Sequence, residues 1–393
     1  MTKFEFPTKI TSKELDKFYS SSEFLDIEIN NFIFPSELRY QGFGIVPLAI
    51  LTFFCWLRNN KTGKIIIKVN IDDVEALKNF SSDFLGYTIL SSAWKHKEIV
   101  NEELVQLKGS FKKYTQLLHK RIDFLQELPN DTILIPLFDH YSKQQGLSHW
   151  FYNSDFNFIG SPEELFSTTY RIFSDLGKIY KTKLAQNLNP VLEDLQIIMW
   201  ELVKNTHDHA TKDYLNQVDL APNTRGIYLK IHRSSKRNFI TKSKEDSGLK
   251  NYFENVLYEG ENFMLEISVF DTGPGIVKRF LGKEWMDSVS PNQEVDTIKK
   301  CLCKGISSTE GLRGNNRGFG LNNALITLSK RQGYLKIRTG NVSIYRDLLK
   351  SPHFETVDYE KITLQDVVTN SPSQFSGVGD TVGTLITMFF PLK

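Results

Sequence analysis

Apolar residues in the first part of the chain alternate between short strand-like runs and longer helical runs. The pattern predicts strands over residues 24–34, 63–69, 86–90 and 131–138, and helices over residues 47–59, 72–85 and 98–127. The uninterrupted run from Ile65 to Ile67 is typical of a strand that is buried on both faces of a mostly parallel sheet. This order of strands and helices predicts a small α/β domain over residues 1–145.

An aromatic, irregular stretch over residues 144–160 separates this region from a second one, which we assign to residues 146–393. Ser161 and Pro162 mark a helix start, with Ser as the N-cap and Pro at the first helical position. Two long helices are predicted over residues 162–181 and 190–210, and strands over residues 225–233, 262–271, 333–341 and 382–390. The polar stretch over residues 234–261 is predicted to be a long solvated loop.

The chain has 393 residues, of which 48 are basic and 46 acidic, so its formal net charge is only +2. Such a balance disfavours a dedicated nucleic-acid-binding protein. Three cysteines are too few for a disulfide framework or a structural zinc site. The amino terminus lacks the pattern of a secretory signal, and the apolar run over residues 43–57 is too short to cross a bilayer. We therefore expect a cytoplasmic protein without a membrane partner.

The stretch WELVKNTHDHA, residues 200–210, concentrates polar side chains at the end of a predicted helix. Glu201, Asn205 and Asp208 are spaced i, i+4, i+7 and therefore share one stripe of that helix. An amide oxygen of Asn205 suits Mg²⁺, and a carboxylate of Glu201 could orient or deprotonate a water molecule. The alternative is a solvated polar face. His207 and His209 point away from each other on a helix, which disfavours a zinc chelate.

Two further motifs lie downstream. The string DTGPGI ends an apolar strand with Asp271, followed by Gly273 and Gly275, which allow a sharp turn and the close approach of a flat ligand. The string RGNNRGFGLNNAL, residues 313–325, is a glycine-rich loop that runs into a helical pattern, where backbone amides favour phosphate. Taken alone, the first motif is also common turn chemistry, and the second could equally be a hinge.

The order of these motifs resembles the GHKL ATPase superfamily, which includes gyrase, histidine kinases and MutL. ExxxN on a helix is followed by DxGxG after a strand, then by a glycine-rich loop that opens a helix, and then by Gly383 and Thr384 on a late strand. The resemblance covers residues 162–393, and stand-alone kinase-like members are the most similar. It implies a Bergerat fold, an α/β sandwich with an antiparallel or mixed sheet backed by helices, that binds ATP and Mg²⁺.

The resemblance also implies roles for individual residues. Asn205 would bind Mg²⁺, Glu201 would orient water or accept a proton, and Asp271 would bind the adenine amine with help from Thr384. The remaining candidates would shape the adenine floor, the phosphate site or the pocket edge: Gly273, Gly275, Gly318, Phe319, Gly320, Leu321, Asp208 and His209. A mobile lid is expected over about residues 277–317, with Ser308, Thr309 and Arg313 near the phosphates. Asn316 replaces the first glycine of the family string GxGxGL, which puts the hinge of that lid in doubt.

The use of the ATP is less defined by the sequence. His119 lacks the neighbours of a phosphoacceptor histidine, and His140 and His149 lie in irregular sequence, so histidine autophosphorylation is disfavoured. The amino-terminal pattern resembles a STAS-type module, in which Ser36 is either a phosphorylation site or a helix cap. We expect a regulatory ATPase whose nucleotide state controls a protein partner or homodimerisation. The alternatives are a protein serine kinase of the anti-sigma type and a nucleotide-gated interaction module with negligible turnover.

Overall fold

A small parallel sheet opens the fold. The computed structural model describes residues 3–21, 24, 31–60, 62–129, 131–176, 189–305 and 320–392. Four parallel strands lie side by side in the order β1 (Lys3–Glu5), β3 (Asn31–Phe34), β5 (Ile65–Ile67) and β6 (Ile99–Val100). A separate parallel pair joins β2 (Lys9–Ile10) to β4 (Arg39–Tyr40). The expected parallel sheet is confirmed, and all three isoleucines of β5 are buried.

Within the described ranges, five helices accompany this sheet: α1 (Ser12–Tyr19), α2 (Ile45–Asn59), α3 (Val74–Ser82), α4 (Phe84–Ala93) and α5 (Lys108–Phe124). Helix α2 is buried along nearly its whole length, as its apolar sequence predicts. The expected strand over residues 86–90 is wrong, because these residues belong to α4. Asp83 caps α4 by accepting hydrogen bonds from the backbone N–H groups of Leu85 and Gly86, which begins a helix where the apolar run alone resembled a strand.

Seven strands of the described residues form a larger sheet, and every adjacent pair in it is antiparallel. Its order is β12–β11–β10–β13–β9–β8–β7, with bounds β7 (Thr132–Phe138), β8 (Thr224–Ser235), β9 (Glu261–Asp271), β10 (Tyr334–Gly340), β11 (Val342–Asp347), β12 (Gln365–Asp366) and β13 (Thr381–Leu392). The expected strand over residues 131–138 is therefore present, but it forms the edge of the large sheet instead of completing the small one. Strands β11 and β12 were not expected.

One face of the large sheet packs against helices α7 (Phe166–Leu176), α8 (Leu192–His209), α11 (Ile276–Leu281), α12 (Pro291–Leu302) and α13 (Gly320–Lys330). A short helix, α6 (Lys143–Gly146), follows β7. Helix α8 presents Leu195, Ile198, Met199 and Leu202 to this core, and these positions follow the spacing of a single helix face. Alternate residues of β9 and β13, such as Val269 and Ile386, point towards the same core.

The other face of the large sheet is covered in two places. The amino-terminal helices pack on it through a core that includes Phe138, Tyr228, Phe270 and Leu385. Helices α9 (Lys236–Lys242) and α10 (Ser247–Val256) cover the neighbouring part. The expected solvated loop over residues 234–261 is therefore wrong. The apolar positions 249, 252, 253 and 256 form a helical stripe that the surrounding charges obscure in the sequence.

The described part of the chain is consequently a mixed α/β protein in which the large sheet lies between two layers that contain helices. Within the described ranges, no helix combines the length and apolar character needed to span a membrane.

Candidate functional site

A cavity lies between the end of α8, the end of β9 and the start of α13. Its lining includes residues from every motif identified in the sequence: Asn205, His209, Asp271, Gly275, Gly320, Leu321 and Thr384. Apolar side chains from several elements complete the wall: Leu202, Val269, Ile276, Phe280 and Ile386. The cavity thus combines an apolar body with a few polar groups, as small-molecule sites commonly do.

At one end of this cavity, Gly320, the first described residue of helix α13, lies against the polar stripe of α8. A Cβ atom placed on Gly320 would lie 2.6 Å from Glu201 Oε2 and 3.5 Å from Asn205 Oδ1. A side chain at residue 320 would therefore displace the Glu201 carboxylate from its place beside the backbone of α13. The amino terminus of a helix favours anions, because its first N–H groups have no partner within the helix.

Glu201 is buried beside Gly320, with an exposed fraction of 8%. It accepts a hydrogen bond from Asn323 Nδ2 at 3.0 Å. Burial raises the pKa of Glu201, while the hydrogen bond from Asn323 and the nearby Lys204 ammonium counteract the rise. A carboxylate with a raised pKa is a better proton acceptor than an exposed one, so the environment of Glu201 suits general-base chemistry.

At the other end, Asp271 closes strand β9. Its exposed fraction is 7%, and the Gly273 N–H donates to Asp271 Oδ1 at 2.8 Å. Burial raises the pKa of Asp271 to about 6, against the lowering effects of this hydrogen bond, of Arg225 and Arg58, and of the Thr384 N–H. The carboxylate is therefore mainly ionised at neutral pH and can accept hydrogen bonds from a ligand.

Gly383 permits the close pairing of β13 with the end of β9. Its φ is +65°, and an added Cβ would lie 1.8 Å from the Asp271 carbonyl oxygen. The Gly383 N–H donates to the carbonyl oxygen of Gly273 at 2.9 Å. A larger residue would force the two strands apart at the cavity wall.

Thr339 was not identified from the sequence. Its hydroxyl donates to the Gly383 carbonyl at 3.0 Å, accepts from the Ile276 N–H at 3.1 Å and lies 3.1 Å from Thr384 Oγ1. It thereby joins β10, β13 and the start of α11 beneath the cavity. The one available signal was its position on the core-facing side of the predicted strand.

Arg279 and Cys301 also line the cavity without having been identified from the sequence. Arg279 Nη1 donates to the carbonyl oxygen of Asp213 at 3.2 Å, and burial lowers the pKa of its guanidinium. Burial raises the pKa of the Cys301 thiol to about 12, so this cysteine stays protonated. Neither residue belongs to a recognisable motif, because helix packing brings both to the wall.

Several expected site residues lie elsewhere. Asp208 pairs with Lys204 and is not among the lining residues. Gly273 packs against Ala210 at the end of α8. His207 contacts Tyr152 through a 2.9 Å hydrogen bond, whereas His209 faces the cavity, so the two histidines diverge as expected. The remaining candidates lie outside the described residues: Ser308, Thr309, Arg313, Gly318 and Phe319.

The described part of the expected lid, which was placed over residues 277–317, is largely helical. Helix α11 overlaps the start of that range and α12 lies within it, and Val277, Val295, Ile298 and Leu302 are buried in the main core. Ser290 begins α12 with a reciprocal capping box formed with Gln293. Packing and capping therefore make this segment part of the cavity wall. The end of the expected lid, from residue 306, lies outside the described residues.

A buried ion pair joins elements that lie next to the cavity. Arg225 has an exposed fraction of 1% and donates from Nε and Nη2 to the two carboxylate oxygens of Asp139, at 2.8 and 2.6 Å. The same guanidinium donates to Thr206 Oγ1 and to Tyr152 OH. Strand β8, the turn after β7 and helix α8 are thereby joined by one charged network.

Comparisons with protein-family models, with curated proteins and with solved structures find no match to this chain.

The donor set beside Gly320, at one end of the cavity, limits the kind of metal that this end could hold. No group of three or more His, Cys, Asp or Glu side chains arranged for a metal ion exists among the described residues. Asn205 and the nearby Glu201 offer oxygen atoms only, which suit Mg²⁺ better than a transition metal. Mg²⁺ typically keeps several water or phosphate ligands, so this sparse set fits an ion that arrives with a nucleotide.

Proposed function

We propose that the protein is a Mg²⁺-dependent, ATP-binding regulatory ATPase with a Bergerat-type fold. The observation that supports this proposal is the single cavity at which the ExxxN helix, the DxGxG turn, the start of the glycine-rich helix and the GT strand meet. These motifs are distant in sequence, and chance polar patches would not be expected to converge on one apolar-walled cavity. The four motifs whose order resembles the GHKL superfamily therefore also lie together in space.

Each part of the cavity has a chemical counterpart in ATP. The ionised Asp271 carboxylate would accept a hydrogen bond from the adenine amine, and the apolar wall would hold the ring. The backbone amides at Gly320 and Leu321 would face the phosphates. Asn205, together with phosphate oxygens, would hold Mg²⁺, which supplies charge neutralisation on the phosphates when bound.

Glu201 would act in hydrolysis. Glu201 is not itself among the residues that line the cavity, but its buried carboxylate lies beside Gly320, which is. There it would accept the proton from a water molecule that attacks the terminal phosphorus, as the bond to the leaving ADP oxygen breaks and phosphate is released. Asn323 would hold the carboxylate in place through its hydrogen bond.

The regulatory part of the proposal rests on the amino-terminal unit, which comprises strands β1–β6 and helices α1–α5. Its parallel sheet and helices agree with the general α/β class of the STAS-like resemblance, and its helices pack directly on the large sheet. A change at the nucleotide cavity can therefore be transmitted through the shared core to a surface of this unit. We propose that this unit presents the surface that a protein partner or a second copy of the chain recognises.

Calorimetry with ATP and Mg²⁺ tests the binding step. The wild-type protein should bind, and Asp271→Asn should bind far more weakly, while Asp219→Asn serves as a matched control because its side chain is 85% exposed. Unchanged affinity in Asp271→Asn would refute the assignment of the cavity.

Incubation with γ-labelled ATP tests the use of the nucleotide. Release of labelled phosphate that is lost in Glu201→Ala supports an ATPase. Label that remains on a protein would point instead to a kinase, and binding without either reaction would point to a gated interaction module.

A further inference from the structure

Helix α2 of the amino-terminal unit ends against the turn that follows Asp271. Arg58, in the last turn of α2, donates from Nη2 to Asn223 Oδ1 at 2.9 Å and to the Pro222 carbonyl at 3.2 Å. It also reaches Thr272 Oγ1 at 3.4 Å and the Gly273 carbonyl at 3.5 Å. Thr272 and Gly273 directly follow Asp271, so a residue outside the motif-bearing region contacts the motif itself.

The partners of Arg58 lead to the other walls of the cavity. Asn223 is fully buried, and its Nδ2 donates to Asp139 Oδ2 at 2.6 Å and to the Ala210 carbonyl at 3.0 Å. Ala210 ends α8, and Asp139 holds Arg225 of β8. The contacts of Arg58 therefore connect three elements: the end of α8, the start of β8 and the end of β9.

The charge of Arg58 also acts on the cavity. Within the described ranges, no carboxylate forms an ion pair with Arg58. Its guanidinium instead donates hydrogen bonds to carbonyl, side-chain amide and hydroxyl oxygens. Burial lowers the pKa of Arg58 to about 10, partly offset by Asp271, so the guanidinium stays positive at neutral pH. In a buried region this charge favours the ionised form of the nearby Asp271 carboxylate.

We infer that Arg58 is a positioning residue through which the amino-terminal unit completes the nucleotide cavity, so that ATP affinity depends on the docking of helix α2. The inference rests on the proposed function and adds its means of regulation. Because coupling between binding events is reciprocal, a protein partner that displaces α2 would weaken ATP binding, and bound ATP would strengthen the docking of α2.

The pH dependence of ATP binding distinguishes this role from a purely structural one. Asp271 is faced by Arg58 from α2, by Arg225 from β8, and by the N–H groups of Gly273 and Thr384. Loss of Arg58 removes one of the two cations that favour ionisation, so Asp271 should become protonated at a higher pH than in the wild type. The adenine amine needs the ionised form as its acceptor, and affinity should therefore fall most at the acidic end of the range.

The experiment measures the affinity for ATP and Mg²⁺ between pH 5.5 and pH 8.5 in the full-length protein. Arg58→Gln removes the charge, Arg58→Lys retains it, and Arg39→Gln is the control because Arg39 pairs with Glu37 at the exposed surface of the same unit. We expect Arg58→Gln to bind about fivefold more weakly than wild type at pH 6 and about twofold more weakly at pH 8. Arg58→Lys should restore the pH profile of the wild type.

The ATP phosphates ionise in the same way whichever variant is measured. The ratio of a variant's affinity to the wild-type affinity at the same pH therefore reports only on ionisation in the protein. An equal loss at all pH values, or none at any, would overturn the inference while leaving the proposed function intact. If the wild-type protein itself does not bind ATP, the proposed function fails and the inference fails with it. Circular dichroism and thermal unfolding confirm that each variant is folded before its affinity is interpreted.

Discussion

Thr384 lies directly opposite Asp271 in the antiparallel pairing of β13 with β9, and its backbone N–H contributes to holding the Asp271 carboxylate. The last strand of the chain thus supports the acid that ends a strand far earlier in the sequence. Arg225 of β8 occupies the paired position on the other side of Asp271. The carboxylate is therefore fixed at the centre of three adjacent strands, with its position set by backbone pairing.

Asp271→Asn should separate stability from binding. The pKa of Asp271 is raised to about 6 from 3.8. For an acid whose pKa is raised on folding, the folded state is most stable when the acid is protonated and loses stability as the pH rises towards 6. Ionised Asp271 therefore opposes folding at pH 7 by at most about 3 kcal/mol. At pH 7 we expect the free energy of unfolding of the variant to exceed that of the wild type by about 1 to 2 kcal/mol, so that the variant unfolds at a higher urea concentration. Its affinity for ATP should nevertheless be lost.

Urea titrations at pH 7 and pH 4.5 check this prediction. The stability difference between Asp271→Asn and wild type should shrink at pH 4.5, because the wild-type acid is then protonated. Asp219→Asn, which alters an exposed side chain, should match the wild type at both values. A variant that is less stable than wild type at pH 7 would contradict the assigned cost of the buried charge.

Glu201→Gln should abolish turnover without abolishing binding. The amide keeps the shape of the side chain and can still accept the hydrogen bond from Asn323, but it cannot take up a proton. We expect kcat for ATP hydrolysis to fall by about 10² to 10⁴, with the dissociation constant for ATP within about threefold of wild type. Phosphate release and calorimetry on the same preparation measure both quantities. A full loss of binding would show that Glu201 holds the ligand and does not serve in the reaction.

Local sequence patterns predicted those parts of the candidate site that belong to short, continuous motifs. Asp271 and Gly320 belong to short motifs, and the structure places both at one cavity. Thr339, Arg279 and Arg58 could not be predicted in the same way, because only the packing of distant elements brings them to the site. The apolar composition of residues 84–93 likewise suits either a strand or a buried helix, and the Asp83 cap with its tertiary packing decides between them.

The large sheet likewise shows that local patterns do not predict how distant elements pair. Residues 131–138 carry a clear strand pattern, but the pattern does not say which sheet they join, since pairing depends on β8 many residues later. The helices α9 and α10 escaped prediction because their apolar stripe is short and surrounded by charges. The sequence therefore defines individual elements better than it defines their partners.

Gly320→Ala should disturb the phosphate end of the cavity. The added Cβ would lie 2.6 Å from Glu201 Oε2, so either the carboxylate or the start of α13 must move. We expect a loss of stability of about 1 to 3 kcal/mol and weaker ATP binding. Gly109→Ala is the matched control, because nothing lies within 4 Å of the added Cβ in helix α5. That control should be neutral or stabilising by up to about 1 kcal/mol.

A second variant shows whether the clash with Glu201 causes the loss. In the background of Glu201→Ala, the carboxylate is absent, and Gly320→Ala should then cost clearly less stability than it does in the wild type. Urea unfolding of the two single variants and the double variant gives this interaction directly. Additive costs would show that the glycine is needed for the backbone alone.

Arg225 and Asp139 should be far more costly to separate than an exposed pair. Arg225→Met leaves the Asp139 carboxylate in a largely buried position without its two charge-assisted hydrogen bonds, although the Asn223 amide still donates to it. Breaking one partner of a buried pair typically costs about 3 to 5 kcal/mol, and we expect that range in urea unfolding at pH 7. Arg233→Met removes a cation from an exposed pair with Glu261 and should cost less than about 1 kcal/mol. A cost for Arg225→Met as small as that of Arg233→Met would contradict the conclusion that the buried pair, and not a solvated contact, holds these elements together.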